Sequence, residues 1–466
     1  MRNNIPRLLL AAASAATLAA CAVGPKYEAP AQAPVALAAA HPNVTAAAAE
    51  ADWWKAFGDP ELDALIARAL AANLDVRIAV DRVREARALF EDTRLDRLPR
   101  VTTSGAYARG EAQKPGFTGE RVRQEQADVG FDAAWEIDLF GRVRHGVNAA
   151  RADADAARAD LRDTQVTIAA EVARNYLVLR GAQVRRTVAE QNADTQRDTL
   201  RLTKVRFDVG TGDPVDVESA RARLNATEAQ IPALRAAEAQ AAHRLAVLLG
   251  ERPGALDAEL AAPAAPSQAE PTAIPIGDAA RFLRRRPDVQ AAERRLAAAT
   301  ERTGVATADL FPRLSVTGFV GFLSGDLGGL FKSGSRAWSV SPALTWPGLD
   351  LGGAEARLRA SEARGDAALA VYEQTVLRAV EDLQNALVAY RERQAQVVSL
   401  SQQVAASRRA AELAHIRYKE GRIDFLRVLD AERNRLEAED GLAAAQTAAN
   451  TDVVAIYKAL GGAAPA

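Results

Sequence analysis

Few residues of this 466-residue chain have types and spacings that could do chemistry. The four histidines, His41, His145, His243 and His415, are scattered, and none sits in a metal-ligand spacing such as HExxH. They read as solvated or packed side chains. No nucleophile elbow, phosphate-binding glycine loop or clustered His/Cys/Asp site is present. The run Gly210-Thr211-Gly212 is turn chemistry, because glycine supplies positive φ. The expectation is a protein with no catalytic residues, metal or soluble cofactor. What remains is Cys21, the one cysteine. In a secreted chain a lone thiol makes no internal disulfide, so stability must come from packing or assembly.

The residues before Cys21 say how it is used. Arg2 and Arg7 give a basic start, and Leu8–Ala20 is apolar apart from Ser14 and Thr17. That is a signal peptide, residues 1–20. It is too short for a membrane-spanning helix, which needs about 20 residues. Leu18-Ala19-Ala20 before Cys21 resembles a bacterial lipobox. That resemblance implies a covalent lipid on Cys21, an N-acyl group and an S-diacylglycerol. Ala22 follows instead of aspartate, which by the same resemblance favours the outer over the inner membrane. An ordinary signal peptide beside a chance cysteine is the alternative. Cleavage takes the formal charge from −1 to −3, and a near-neutral chain lacks the basic surface that nucleic acid needs.

The elements that position everything else come in duplicate. "VRFDVGTGDPVDV" from Val205 aligns with "IRYKEGRIDFLRV" from Ile416, pairing Arg206 with Arg417, Phe207 with Tyr418, Gly210 with Gly421 and Asp213 with Asp424. The same offset carries Leu249-Gly250 onto Leu460-Gly461. At an offset two residues larger, Asp75 meets Asp288 and Leu98-Pro99-Arg100 meets Phe311-Pro312-Arg313. The expected order is an extended acylated segment (21–58), a first repeat (59–252), a proline-rich linker (253–276), a second repeat (277–461) and a tail (462–466). Each repeat reads as a helix (~60–97, ~278–309), two strands (~101–110 and ~127–138; ~313–323 and ~337–346), a very long helix (~142–208, ~353–420) and a last helix (~214–249, ~424–460).

The long helices would each run roughly 100 Å. In the second, Val380, Leu383, Leu387, Tyr390, Gln394, Val397, Ser401 and Val404 alternate by four and three, a coiled-coil seam. Abundant alanine lets neighbours approach from more than one side. An ordinary antiparallel bundle would show the same pattern. The strands alternate too: Val129, Phe131, Ala133, Trp135 and Ile137 share a face opposite Asp128, Gly130, Asp132, Ala134 and Glu136. Trp338, Val340, Pro342, Leu344 and Trp346 do the same opposite serine, alanine and threonine. Lipid outside and water inside gives this pattern, and so does a soluble sheet with one buried face. Pro342 lacks a ladder donor and is awkward in a paired strand. Topology bears on the choice. Membrane barrels start at about eight strands, and an open edge in lipid leaves backbone groups unsatisfied. Four spanning strands would therefore have to be pooled among chains.

Asp52–Ala86, "WEIDLFGRVR" (Trp135–Arg144), "LFPRLSVTG" (Leu310–Gly318) and Arg417–Leu436 together resemble the TolC-like outer membrane factor family, in its lipoprotein branch. The resemblance covers nearly the whole mature chain. It implies a mainly α fold with a small β portion, a duplicated unit of long coiled-coil helices plus two β-hairpins. Three chains would share a twelve-stranded outer membrane β-barrel continued by a periplasmic α-helical barrel. It implies the outer membrane channel of a tripartite efflux system, opened at its periplasmic mouth on docking. Its partners would be itself, a periplasmic adaptor, an inner-membrane RND-type pump and outer membrane lipid. Carried over residue by residue, Gly210, Thr211, Gly212, Gly421 and Arg422 form hairpin tips that contact the adaptor. Asp216 and Tyr418 match a carboxylate and a phenol that bond across the closed mouth. Asp430 matches one acidic ring position; Arg427 replaces the other and could pair with Asp430. The rival reading is a periplasmic coiled-coil scaffolding lipoprotein without a channel.

Overall fold

The computed structural model describes residues 22–31, 44–45, 52–113, 119, 121–262, 274–275, 282–348 and 351–462. The expected signal peptide, Cys21, half of the expected linker and the last four residues lie outside the described residues. The longer helices are α1 (Pro60–Ala72), α2 (Leu74–Leu95), α3 (Arg142–Asp208), α4 (Pro214–Glu228), α5 (Ile231–Leu248), α6 (Pro287–Ala308), α7 (Leu351–Lys419) and α8 (Phe425–Ala459), with one-turn helices at Asp257–Leu260 and Phe282–Arg285. The longer strands are β1 (Arg100–Gln113), β2 (Arg121–Ile137), β3 (Arg313–Ser324) and β4 (Arg336–Thr345), and Val44–Thr45 pairs in parallel with Ile274–Pro275. With α3 at 67 residues and α7 at 69, the long helices run unbroken.

Three expected helices are interrupted, each for a local reason. The first breaks at Asn73, which turns extended and caps α2 through its Oδ1, accepting from the Asp75 and Val76 amides. Its counterpart breaks at Arg286, because Pro287 disfavours helical geometry in the residue before it. Both breaks are used alike. Asn73 Nδ2 donates to the Leu248 carbonyl at 2.8 Å, and the Arg286 guanidinium donates to the Ala459 carbonyl at 2.8 Å. Each residue thus satisfies an orphan carbonyl at the end of its own repeat's last helix, so the duplication extends to this hydrogen bond. The third break, between α4 and α5, follows from Pro232 in the first turn of α5. Its counterpart α8 contains no proline and runs 35 residues.

The chain divides into two compact units that do not follow the repeats; each draws on both. One holds the N-terminal segment through Ala31, Arg82–Arg158 and Ala291–Gln374. Its centre is an antiparallel sheet in the order β1-β2-β3-β4. Register puts Thr103, Phe131, Val320 and Trp338 in one cross-strand row and Val101, Ala133, Gly318 and Val340 in the next. The apolar face is therefore continuous across all four strands, and much of it is exposed: Phe131 55%, Val340 65%, Trp338 77%. The first hairpin reaches further than expected, through rungs such as Arg109 opposite Glu125, paired at 3.0 Å. Pro342 lies on β4, which within one chain is paired on one side only, and it forfeits one ladder donor.

The other unit holds Gln32–Asp81, Ala159–Gln290 and Thr375–Ala466. Leu383, Leu387, Tyr390, Gln394 and Val404 are buried as the seam requires, while Ser401 is exposed. Ala169, Ala170 and Ala173 are all buried on α3, so that helix packs on more than one side. Ala189, Ala193 and Leu200 of α3, Val217 and Leu224 of α4, Ala414 of α7, and Phe425 and Val428 of α8 make one apolar cluster.

Candidate functional site

Both hairpin tips are built by one device. Gly210 and Gly421 take φ of +77° and +69°, the left-handed conformation that ends a helix. The Gly210 amide donates to Phe207 O and the Thr211 amide to Arg206 O, both at 2.9 Å. In the second repeat, Gly421 donates to Tyr418 O at 3.0 Å and Arg422 to Arg417 O at 2.9 Å. Asp213 then caps α4, accepting from the Val215 amide at 2.8 Å, and Asp424 caps α8, accepting from Arg427 at 3.0 Å. At Gly212 a Cβ would lie 2.8 Å from the Phe207 nitrogen, so the first tip closes only with glycine there.

Asp216 sits in the first turn of α4. Burial, with Asp213 and then Asp424 beside it, pushes its carboxyl up from the usual range, and Arg206 works against that shift. Tyr418 lies in the last turn of α7. Within the chain no hydrogen bond joins it to Asp216 among the described residues. Its ring instead carries the Arg206 guanidinium at 4.5 Å and packs 5.4 Å from Phe425. Arg206 therefore faces both groups that sequence singled out. It is itself half of a repeat pair with Arg417, a signal that says duplication and nothing about a partner.

Arg427 and Asp430 do not pair as expected. Asp430 is bound by Arg433 one turn further along. An acid preceding its base along the helix is the better order, because it agrees with the helix dipole. Arg427 remains exposed, without a carboxylate in ion-pair range among the described residues.

Further from the tips lies a buried polar cluster that sequence reading missed. Glu432, on α8, is 4% exposed. It meets His415 Nε2 at 2.6 Å and Arg435 at 2.7 Å, and Arg435 also donates to Asn192 Oδ1 of α3 at 2.8 Å. Burial alone would raise the Glu432 pKa; the His415 hydrogen bond and the Arg435 charge outweigh it and hold it low. Back from the tips, then, α3, α7 and α8 are tied by charge as well as by apolar packing.

The sheet unit carries its own repeated device. The Trp135 indole donates to Arg97 O at 3.2 Å and the Trp346 indole to Leu310 O at 3.0 Å, one tryptophan per repeat where strand meets helix. Here too the segment following Cys21 is docked. The Val23 amide donates to Phe140 O at 3.1 Å, and Val23 O faces His145 Nε2 at 3.0 Å, while His145 Nδ1 meets Glu301 at 2.6 Å. Tyr27 donates to Glu293 and packs on Ala152, Ala297 and Ala298. Gly304 has no room for a Cβ, which would fall 2.6 Å from the His145 ring. Cys21 itself lies outside the described residues.

A sequence profile for outer membrane efflux proteins matches residues 65–251 and 280–462. The chain is 33% identical to the antibiotic efflux pump outer membrane protein ArpC of Pseudomonas putida, over 98% of this chain and 95% of that protein. It is 34% identical to the outer membrane protein OprJ of Pseudomonas aeruginosa, over 96% of this chain and 94% of that one. Among solved structures, the outer-membrane channel OprN superposes with a TM-score of 0.92 at 47% identity, covering 95% of this chain and 99% of that one. The open state of the MtrE outer membrane channel of Neisseria gonorrhoeae superposes with a TM-score of 0.84 at 30% identity, covering 95% and 99%.

Proposed function

The chain belongs to the outer membrane efflux protein family, and on that footing we propose that three copies build one passive conduit for small-molecule export. It is an outer membrane channel component that works with the other parts of an efflux pump. The observation that carries the trimer is the sheet. It has four strands, one exposed apolar face and two edges, β1 and β4, each paired on one side only. In hydrocarbon each unpaired edge group costs several kcal/mol, as estimated for buried polar groups. Three copies supply twelve strands and close the ring. A scaffolding lipoprotein has no use for such a face.

Cys21 carries the acyl anchor, and the strap that follows it docks from Val23 to Tyr27. The tips Gly210–Gly212 and Gly421–Arg422 meet the periplasmic adaptor, which couples the conduit to an inner-membrane pump of the RND type. The mouth is held shut around Arg206, Asp216 and Tyr418, and the Tyr418 hydroxyl bonds Asp216 of a neighbouring copy. Reconstitution into planar bilayers tests the reading. Discrete, uniform conductance steps that require the trimeric fraction are expected; protein that inserts without any steps would sink it.

A further inference from the structure

We propose that the sheet's apolar face carries a binding site for a phosphorylated, acylated glycolipid of the outer leaflet. The proposal rests on the barrel reading above, which places this face against lipid. A trough of about 650 Å³ lies on that face, lined by Val129, Phe131, Val320, Phe322, Phe331 and Trp338. These come from two adjacent cross-strand rows of β2, β3 and β4, with Phe331 contributed by the connection between β3 and β4. Phe331 closes one wall, its ring 5.6 Å from Phe322 and edge-on to it. A flat barrel wall offers lipid tails no such recess. This one is walled by aromatic rings and shaped to hold an acyl chain in place.

The polar end of the trough decides which lipid. Arg336 lines it, and Lys332 lies four residues earlier in the connection. No carboxylate is among the lining residues, and among the described residues neither side chain has an ion-pair partner. The connection lies at the end of the sheet opposite the one where α6 enters β3 and β4 leaves for α7. In a barrel whose helices point into the periplasm, that end is the outer leaflet. Arg336 in the lining of an apolar trough, with Lys332 in the same connection, complements a phosphate set above acyl chains. The outer leaflet's lipid of that chemistry is the phosphorylated glycolipid. Arg336 supplies a planar fork suited to phosphate, and Lys332 a second positive charge.

The probe is bisphosphorylated lipid A, set against the same lipid after enzymatic dephosphorylation. Each is titrated onto detergent-purified trimer and read by native mass spectrometry. Wild type should bind the phosphorylated form, one per chain, at least ~10-fold more tightly than the dephosphorylated form, as charge-assisted hydrogen bonds imply. Arg336→Gln with Lys332→Gln should erase that preference. Phe131→Ala should weaken both forms alike. Bilayer conductance of each variant is the control for assembly. If the double variant does not assemble, Arg336→Gln alone must show the reduced preference. Equal binding of the two lipids by wild type, or an undiminished preference in an assembled Arg336 variant, overturns the proposal. A wild-type protein that forms no trimer overturns the channel reading instead.

Discussion

Replacing Arg206 with alanine should open the channel. The guanidinium stacks on Tyr418 at 4.5 Å and, among the described residues, opposes the carboxylates around Asp216. A half-exposed cation–π contact is worth about 1 kcal/mol. Three equivalent contacts in a trimer make about 3 kcal/mol, which shifts a closed–open equilibrium by roughly a hundredfold. Single-channel recording is the assay: Arg206→Ala should raise open probability and conductance, and Arg206→Lys should fall between it and wild type, because lysine keeps charge but stacks less well. The pH dependence has a definite sign. Because the Asp216 carboxyl is raised in the folded tip, its protonated form is favoured there. The tip is therefore most stable below the ordinary carboxylate range and loses that stability as pH rises through the shifted value. Without Arg206 the shift grows, and the loss moves to higher pH. Recordings from Arg206→Ala that match wild type at every pH would refute the reasoning.

Other residues give sharper tests of single contacts. Tyr418→Phe keeps the ring under Arg206 and removes only the hydroxyl, so unchanged gating would rule out the bond to Asp216, and Tyr418→Ala should open the mouth in either case. Glu432→Gln leaves His415 and Arg435 without their buried carboxylate and should cost about 3 kcal/mol or more, read as a lower thermal midpoint by circular dichroism. Because the Glu432 pKa is lowered, its contribution is present at neutral pH and fades as pH falls through the lowered value, so the variant should lose that acid sensitivity. Gly304→Val should displace His145 and release the strap, seen as faster tryptic cleavage after Lys26 with the trimer intact. Cys21→Ser should abolish palmitate labelling while leaving assembly unchanged.

Most of the fold was legible because duplication and period carry it. The seam from Leu383 to Val404, the long proline-free helices and the alternating faces around Phe131 and Trp338 are periodic patterns that fix element type, although a soluble bundle or sheet would show the same faces. The breaks at Asn73 and Arg286 were not, because each serves a carbonyl some 175 residues away and leaves no periodic trace. The outer rungs of the first hairpin were missed in part for a related reason: Arg109 fell inside the expected strand, but its partner Glu125 stands beyond the apolar band, where alternation ends. At the tips, the glycine and aspartate of each turn were readable from local chemistry. Arg206 was not, since a stacking partner 212 residues away in sequence has no local signature. The Arg427–Asp430 expectation failed because either arginine one turn from Asp430 suits the spacing, and only the helix direction chooses Arg433.

Pooled strands make the channel, and the mass of the detergent-solubilised protein tests that most directly. Light scattering corrected for bound detergent should give three chains per particle, persisting on dilution. A single chain per particle, stable and with the β1 and β4 edges open to rapid amide exchange, would contradict the account at its root.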